Sequence, residues 1–179
     1  METQDFLTDV KTLRERARQH IAQGAITENY GADRDTVIKL LNDALATEIV
    51  CVLRYRRHYF MAHGINSESI AAEFLEHANE EQMHADQIAE RIVQLGGNPN
   101  FSPEGMLDRS YSEYVEGKSL IDMLKEDLVA ERIAIDSYRE IINYLDGKDS
   151  TTRRMLEEIL AVEEEHAEDL LSLIQDVVK

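Results

Sequence analysis

Residues 156–170 read LEEILAVEEEHAEDL, and within them Glu163 and His166 are separated by two residues. On an α-helix, side chains at i and i+3 lie on the same face, so this carboxylate and this imidazole are neighbours. The positions around Glu163 at i−7, i−4, i−3, i+4 and i+7 are all apolar: Leu156, Ile159, Leu160, Ala167 and Leu170. A carboxylate on an apolar face costs on the order of several kcal/mol unless it takes up a proton or binds a cation.

The same pair occurs a second time, as Glu81 and His84 within HANEEQMHADQIAERI, residues 77–92. The flanking positions are again apolar, namely Phe74, Ala78, Ala85 and Ile88. Because the chain is rich in acidic residues, such pairs also arise by chance. They indicate one shared metal site only if both lie on long helices that face the core and if other helices supply further ligands.

Length and composition predict a single helical domain. The chain has 179 residues, two Pro, eight Gly and no Trp, which favours helix over sheet. No apolar run reaches the roughly 18 residues of a membrane span, and METQDFLTDV, residues 1–10, lacks a signal-peptide pattern. The single Cys51 excludes an intrachain disulfide and fits a reducing compartment. We therefore expect a cytoplasmic protein without membrane contact.

The net charge of −17 disfavours nucleic acid as a partner, because affinity for phosphate is built from cationic side chains. A basic cluster near the N-terminus is balanced by acidic residues within the same segment. Negative charge instead attracts metal cations into clefts.

Hydrophobic periodicity predicts two units, an N-terminal amphipathic helix over residues 1–24 and a four-helix bundle over residues 25–179. The first helix carries a narrow apolar stripe and ends near Gly24; the stripe consists of Phe6, Val10, Leu13, Ala17 and Ile21. The bundle helices are expected near residues 35–63, 67–95, 118–146 and 150–178, with Asp33 or Asp35 and Ser119 as N-caps.

The connections predict the path of the chain. Short turns at Gly64–Asn66 and Gly147–Asp149 make the flanking helices antiparallel. The connector 96–117 contains both prolines, and at full extension it spans about 70 Å, more than the roughly 42 Å of a 28-residue helix. It therefore runs the length of the bundle and leaves the second and third bundle helices parallel.

Two further acidic residues complete the predicted site. Glu48 lies on the apolar face of the first bundle helix, among Leu41, Ala44, Leu45, Cys51, Val52 and Tyr55. Glu131 lies among Leu124, Leu128, Ala134, Ile135 and Tyr138 of the third, with Asp127 one turn earlier. One Glu from each of two helices and one Glu-x-x-His pair from each of the other two is the ligand pattern of di-iron and di-manganese carboxylate bundles.

The chain resembles bacterioferritins and the wider ferritin-like superfamily over about residues 34–175. The matching stretches are LNDALATEIVCVLRYRRHYF (41–60), EEQMHADQIAERI (80–92), KEDLVAERIAIDSYREII (125–142) and ILAVEEEHAEDLL (159–171). The resemblance implies that Glu48 and Glu131 are terminal ligands and that Glu81 and Glu163 bridge two metal ions. It also implies that His84 and His166 each bind one ion, and that Tyr55 lies beside the site and can donate an electron.

Two departures from bacterioferritins refine these expectations. The position of the haem-binding methionine, directly after the first ligand Glu of the second bundle helix, is occupied by Gln82, so no haem is expected. The chain stops before the fifth helix of 24-subunit cages and has an additional N-terminal helix. In this it is more similar to Dps-like mini-ferritins that form dodecamers, so twelve subunits are favoured over twenty-four.

The resemblance implies a ferroxidase that oxidises Fe²⁺ with O₂ or H₂O₂ at a di-iron centre and stores or detoxifies iron in a hollow homo-oligomer. Mn or Zn are possible substitutes for Fe. The alternatives are a manganese catalase or rubrerythrin-like peroxidase on the same bundle, or a structural cage that protects DNA. For Cys51 a buried apolar role is favoured, whereas His20, His58, His63 and His77 are expected at the surface or at interfaces.

Overall fold

The chain folds into a bundle of four long helices with two short helices outside it. The computed structural model describes residues 8–19, 21–63 and 67–178. Within these ranges the regular structure consists of helices α1 (Val10–Arg18), α2 (Arg34–Met61), α3 (Ser67–Gln94), α4 (Met106–Arg109), α5 (Leu120–Leu145) and α6 (Ser150–Val178), and of a 3₁₀ turn over Ile21–Gln23. The predicted all-α four-helix bundle is confirmed. The predicted turn at Gly64–Asn66, Phe6 and His20 lie outside the described residues.

Capping side chains fix where the bundle helices begin. The carboxylate of Asp33 accepts a hydrogen bond from the backbone N–H of Thr36, and the hydroxyl of Ser119 accepts one from that of Asp122. These caps satisfy backbone donors that the first turn of a helix leaves free. The four long helices accordingly begin and end within two residues of the predicted positions.

Helix α1 is shorter than the sequence predicted. It starts after the N-cap Asp9, ends at Arg18 and is followed by extended backbone at Gln19. Its side chains Val10 and Leu13 remain exposed. Because helices of this length are marginal without tertiary packing, nothing in the described chain supports its extension to Gly24.

Contacts between the helices define their directions. The start of α2 meets the end of α3, where a Cβ atom on Gly97 would lie 2.8 Å from Cγ2 of Ile38. The end of α3 meets the start of α6, where Arg91 pairs with Asp149 at 3.1 Å. Helix α2 is also antiparallel to α5, so α3 and α5 run parallel as predicted. Within the described residues, no helix is long and apolar enough to span a membrane.

The crossover between α3 and α5 lies along the outer side of α2. Asn42 accepts a hydrogen bond from the backbone N–H of Asn100 at 2.7 Å, and Thr47 accepts one from that of Tyr111 at 2.9 Å. Between these points the short helix α4, which the sequence did not predict, packs Met106 against Ala46 and Val50. The crossover is therefore attached to the helix that carries Glu48.

A buried ionic network joins the crossover to α2 and α5. Arg54 donates to Asp127 at 2.8 Å and to the backbone oxygen of Glu113 at 2.8 Å. His58 lies 2.8 Å from the second oxygen of Asp127 and 3.1 Å from the backbone oxygen of Glu116. His58, expected at the surface or at an interface, is fully buried where α2 packs against α5. The sequence around His58 on α2 could not reveal this burial, because its partner Asp127 belongs to α5.

The apolar core is divided into two clusters. One contains the first part of α2, the second parts of α3 and α5 and the first part of α6, from Val37 to Ile159. The other contains the opposite ends of the same helices, from Cys51 to Leu170. The residues between these clusters on all four helices are the predicted ligands, so the bundle has a polar layer between two apolar ones.

Candidate dinuclear metal centre

The structure brings all six predicted ligand residues together in the polar layer. Glu48 comes from α2, Glu131 from α5, Glu81 and His84 from α3, and Glu163 and His166 from α6. All six are buried, and the most exposed, His84, has an accessible fraction of only 4%. Each pair at i, i+3 faces the core because its flanking residues are the apolar ones noted in the sequence.

These residues form two groups of possible metal ligands. Glu48, Glu81, His84 and Glu163 form one group, and Glu81, Glu131, Glu163 and His166 form the other. In each group one ligand atom from every residue lies within 4.8 Å of the others. The groups share Glu81 and Glu163, as expected for two ions joined by two carboxylates.

The carboxylate oxygen atoms are distributed between the two ligand groups in the same way. Oε2 of Glu81 lies 3.5 Å from Nδ1 of His84, and Oε1 of Glu81 lies 3.5 Å from Nδ1 of His166. Glu163 likewise places Oε1 3.0 Å from His84 and Oε2 3.6 Å from His166. Glu48 approaches only His84, at 3.5 Å, and Glu131 only His166, at 3.9 Å. Glu81 and Glu163 thus each lie between the two imidazoles, whereas Glu48 and Glu131 each lie beside one, which is the arrangement that bridging and terminal roles would require.

Seven of the polar atoms at this centre lack a hydrogen-bond partner. Eight buried side-chain N or O atoms of the described chain have none, and seven of them belong to these six residues. The seven are Glu48 Oε2, Glu81 Oε1, His84 Nδ1, Glu131 Oε2, both carboxylate oxygens of Glu163, and His166 Nδ1. Buried polar groups are normally satisfied, so this concentration indicates that a bound species completes the centre. Carboxylate oxygen and imidazole nitrogen are suitable ligands for Fe, Mn or Zn.

The pKa is raised for two of the four buried carboxyl groups and lowered for the other two. Loss of solvation, followed by repulsion from Glu81, raises the pKa of Glu48 to about 8. Loss of solvation and the charges of Glu81 and Glu163 raise the pKa of Glu131 well above its usual range. For Glu81 and Glu163 burial also favours the neutral form, but interactions with the neighbouring carboxyl and imidazole groups outweigh it and lower the pKa.

The pKa of both imidazoles at the centre is raised, whereas burial alone would lower the pKa of a histidine. Burial disfavours the charged ring of His166, but the carboxylates of Glu163 and Glu81 outweigh this and raise its pKa to about 12. The pKa of His84 is raised for the same reason, by Glu163, Glu48 and Glu81. The raised pKa values of both imidazoles and of Glu48 and Glu131 favour protons on these four groups when no metal is bound, and four such protons would balance the charge of the centre.

Two tyrosines, one on α2 and one on α5, each donate a hydrogen bond to a glutamate on the other helix. The hydroxyl of Tyr55 on α2 donates to Oε1 of Glu131 on α5, and that of Tyr138 on α5 donates to Oε1 of Glu48 on α2. Tyr55 thus lies beside the centre as the resemblance implied, whereas Tyr138 was not predicted as part of it. The signal was present, because Tyr138 follows Glu131 by seven residues just as Tyr55 follows Glu48.

Two other residues next to the centre were not predicted. Glu80 places Oε2 2.7 Å from Nε2 of His166. His77, expected at the surface or at an interface, is buried, and its ring stacks on that of His166 of α6 with centroids 3.9 Å apart. Burial and the neighbouring His166 lower the pKa of His77 to about 3, so its ring is neutral. Cys51 is buried as expected, and burial raises the pKa of its thiol.

Fold and site together define a class, that of four-helix-bundle proteins with a buried carboxylate and imidazole centre. Residues 38–179 match the ferritin-like domain family. The chain belongs to this family.

Individual relatives agree with this assignment. The chain is 30% identical over 135 residues to the bacterioferritin of Mycobacterium bovis, covering 75% of this chain and 80% of the relative. It is 32% identical, with the same coverage, to the bacterioferritin of Brucella melitensis. Among solved structures, a bacterioferritin-related dodecameric thioferritin from Bacteroides fragilis has a TM-score of 0.80 at 34% identity, covering 83% of this chain and 89% of that one.

We predict that metal binding at this centre releases protons. Two divalent cations carry the charge of four protons, so filling the centre should displace about four protons per chain at neutral pH. Because the displaced protons leave groups whose pKa is raised, affinity for Co²⁺ or Zn²⁺ should rise as the pH increases from 6 towards the pKa of about 8 at Glu48. Calorimetric titrations in buffers of different ionisation enthalpy measure the protons released. Affinity independent of pH would contradict the charge assignment.

Proposed function

We propose that the protein is a ferroxidase that oxidises Fe²⁺ at the dinuclear centre and stores or detoxifies the ferric product. The observation that carries this proposal is the set of seven unpartnered N and O atoms contributed by six residues of four helices. Membership of the ferritin-like family and the similarity to bacterioferritins support Fe²⁺ as the metal substrate.

Each residue has a distinct role in this proposal. Glu48 and His84 hold one Fe²⁺, Glu131 and His166 hold the other, and Glu81 and Glu163 bind both. When bound, each Fe²⁺ supplies one electron to O₂ or H₂O₂. The four carboxylates and two neutral imidazoles balance the charge of two divalent cations, and the apolar clusters on either side keep the ligands desolvated.

Tyr55 is proposed as an additional electron donor. Its hydroxyl is buried and already hydrogen-bonded to Glu131, so the phenol proton has an acceptor when the ring loses an electron. Tyr138 has the corresponding bond to Glu48, but among the described residues no imidazole lies beside its hydroxyl as His77 lies beside that of Tyr55, at 3.3 Å.

The assembly is proposed to be a hollow homododecamer without haem. The similarity to the dodecameric thioferritin supports twelve subunits. Gln82, in place of the haem-binding methionine, has its amide 3.0 Å from Asp86 on the same helix. Twelve chains of 20.5 kDa should give a particle of about 246 kDa. Light scattering coupled to size-exclusion chromatography measures this mass, and a particle of twice that size would require a 24-subunit cage instead.

Neutralising one bridging carboxylate should abolish rapid Fe²⁺ oxidation. Substitution of a residue that only supports a metal ligand costs about 10- to 100-fold, so Glu163→Gln should slow oxidation by at least about 100-fold. The matched control is Glu164→Gln on the same helix, because Glu164 is exposed and pairs only with surface Arg139. The measurement is anaerobic loading with Fe²⁺ followed by stopped-flow mixing with O₂ or H₂O₂.

The same experiment separates the proposal from its alternatives. Wild-type protein and Glu164→Gln should retain many ferric ions per chain after repeated additions. Release of O₂ from H₂O₂ by protein purified with Mn, without retention of iron, would instead identify a catalase. Equal oxidation by Glu163→Gln and Glu164→Gln would contradict the role of the centre.

Tyr55→Phe and Tyr138→Phe should have different consequences. Each substitution removes one hydroxyl and one hydrogen bond to a terminal carboxylate, so the two variants are matched in structure. We expect a transient tyrosyl radical, detected by freeze-quench electron paramagnetic resonance, in wild-type protein and in Tyr138→Phe but not in Tyr55→Phe. A signal that persists in Tyr55→Phe would assign the radical to another residue.

A further inference from the structure

A third group of possible metal ligands lies next to the dinuclear centre. Glu73 and His77 on α3 and Asp169 on α6 each offer a ligand atom, and the three atoms lie within 4.8 Å of one another. None of these residues belongs to the six that form the centre. The group adjoins a recess of about 140 Å³ that also reaches His166.

The imidazole of His77 distinguishes this group from an ordinary acidic surface. Its side chain is only 2% exposed, with Nδ1 3.3 Å from the hydroxyl oxygen of Tyr55 and Nε2 3.4 Å from Oε1 of Glu73. The hydroxyl of Tyr55 donates its proton to Glu131. With that proton directed at Glu131, the Tyr55 oxygen can accept from Nδ1–H of His77, which leaves Nε2 as the ring nitrogen that faces Glu73.

Two of the three ligand atoms lie one helical turn apart on α3. Nε2 of His77 is 3.4 Å from Oε1 of Glu73, and an oxygen of Asp169 on α6 completes the group. Octahedral ligands at about 2.1 Å from a metal lie about 3.0 Å apart when adjacent, which is close to the observed 3.4 Å.

The fold does not require an imidazole at this position. On the other Glu-x-x-His helix, the residue four positions before Glu163 is Ile159, which is buried in the apolar core. The residue four positions before Glu81 is His77. A buried polar ring in one half, where the other half packs an aliphatic side chain, indicates a ligand on that side only.

The recess is also suited to attract cations. Five of its eight lining residues are Glu or Asp, and none is Lys or Arg. One of the five, Glu80, contacts Nε2 of His166 at 2.7 Å. Glu80 thus lines the same recess as Glu73, His77 and Asp169 and also contacts an imidazole of the dinuclear centre.

We propose that Glu73, His77 and Asp169 form a third site for a divalent cation, which stages Fe²⁺ before it enters the dinuclear centre through Glu80. The binding site stands on its own geometry, whereas the staging role rests on the proposed ferroxidase function. One imidazole and two carboxylates leave coordination positions for water, so the ion remains exchangeable and can pass inward.

The test uses Co²⁺, which air does not oxidise in these ligands, with the intact metal-free protein. Equilibrium dialysis with metal analysis should give about three Co²⁺ per wild-type chain and about two for the double variant Glu73→Gln/Asp169→Asn. The control double variant Glu76→Gln/Glu165→Gln removes the same charge from exposed positions of the same recess and should keep three. Crystals soaked in Co²⁺ should show an anomalous peak beside Nε2 of His77.

Failure of this inference is distinguishable from failure of the proposed function. Two Co²⁺ in wild type, both lost in Glu163→Gln, would overturn the third site and leave the ferroxidase intact. One Co²⁺ bound at His77, with none between His84 and His166, would support the third site and contradict the proposed ferroxidase centre.

Staging adds a kinetic requirement. Glu73→Gln/Asp169→Asn should lower the initial oxidation rate by about tenfold at limiting Fe²⁺ and leave the rate at saturating Fe²⁺ unchanged. An equal loss of initial rate in the control variant Glu76→Gln/Glu165→Gln would show that general electrostatic attraction causes the effect. That result would overturn the staging role.

Discussion

The centre of this bundle is governed by one electrostatic constraint: four carboxyl groups and two imidazoles share a desolvated layer and must remain neutral together. Without metal, protons supply the balancing charge: burial and neighbouring carboxyl groups raise the pKa of Glu48 and Glu131, and neighbouring carboxylates raise the pKa of His84 and His166. With two divalent cations the same charge is supplied by metal, and the unpartnered oxygen and nitrogen atoms gain ligands. Metal binding, proton release and packing of the four helices are therefore coupled, because every helix contributes at least one charged group to the layer.

A second buried ionic group shows what a purely structural arrangement looks like. Arg54, Asp127 and His58 are as deeply buried as the candidate ligands, yet their charges and hydrogen bonds are matched within the protein and by backbone oxygens of the crossover. None of their side-chain atoms is among the buried unpartnered ones in the described chain. The contrast assigns a binding role to one cluster and a positioning role to the other, since Asp127 lies one turn from Glu131 and Arg54 lies next to Tyr55.

Each structural motif of the centre occurs twice in the bundle, but the surroundings of the two halves differ. Glu-x-x-His occurs on α3 and α6, Glu with a tyrosine seven residues later occurs on α2 and α5, and each tyrosine crosses to the glutamate of the other helix. His77 and Ile159 break this equivalence beside one half of the centre. Two chemically similar metal positions thereby acquire different surroundings, with Tyr55, His77, Glu80 and the acidic recess all on the His166 side.

The sequence by itself determined the four long helices, their order, the crossover and the six side chains that converge. These depend on features read along a single helix: apolar periodicity, N-cap residues, and an acid on an apolar face. It could not determine that Tyr55 binds the glutamate of another helix, that Tyr138 joins the centre, that Met106 forms a short helix against α2, or that His58 and His77 are buried. Those outcomes depend on contacts between helices distant in sequence, such as Asp127 with His58 and His166 with His77. Only tertiary packing brings such partners within hydrogen-bond distance, because periodicity fixes which face of a helix is buried and not which residue it meets there.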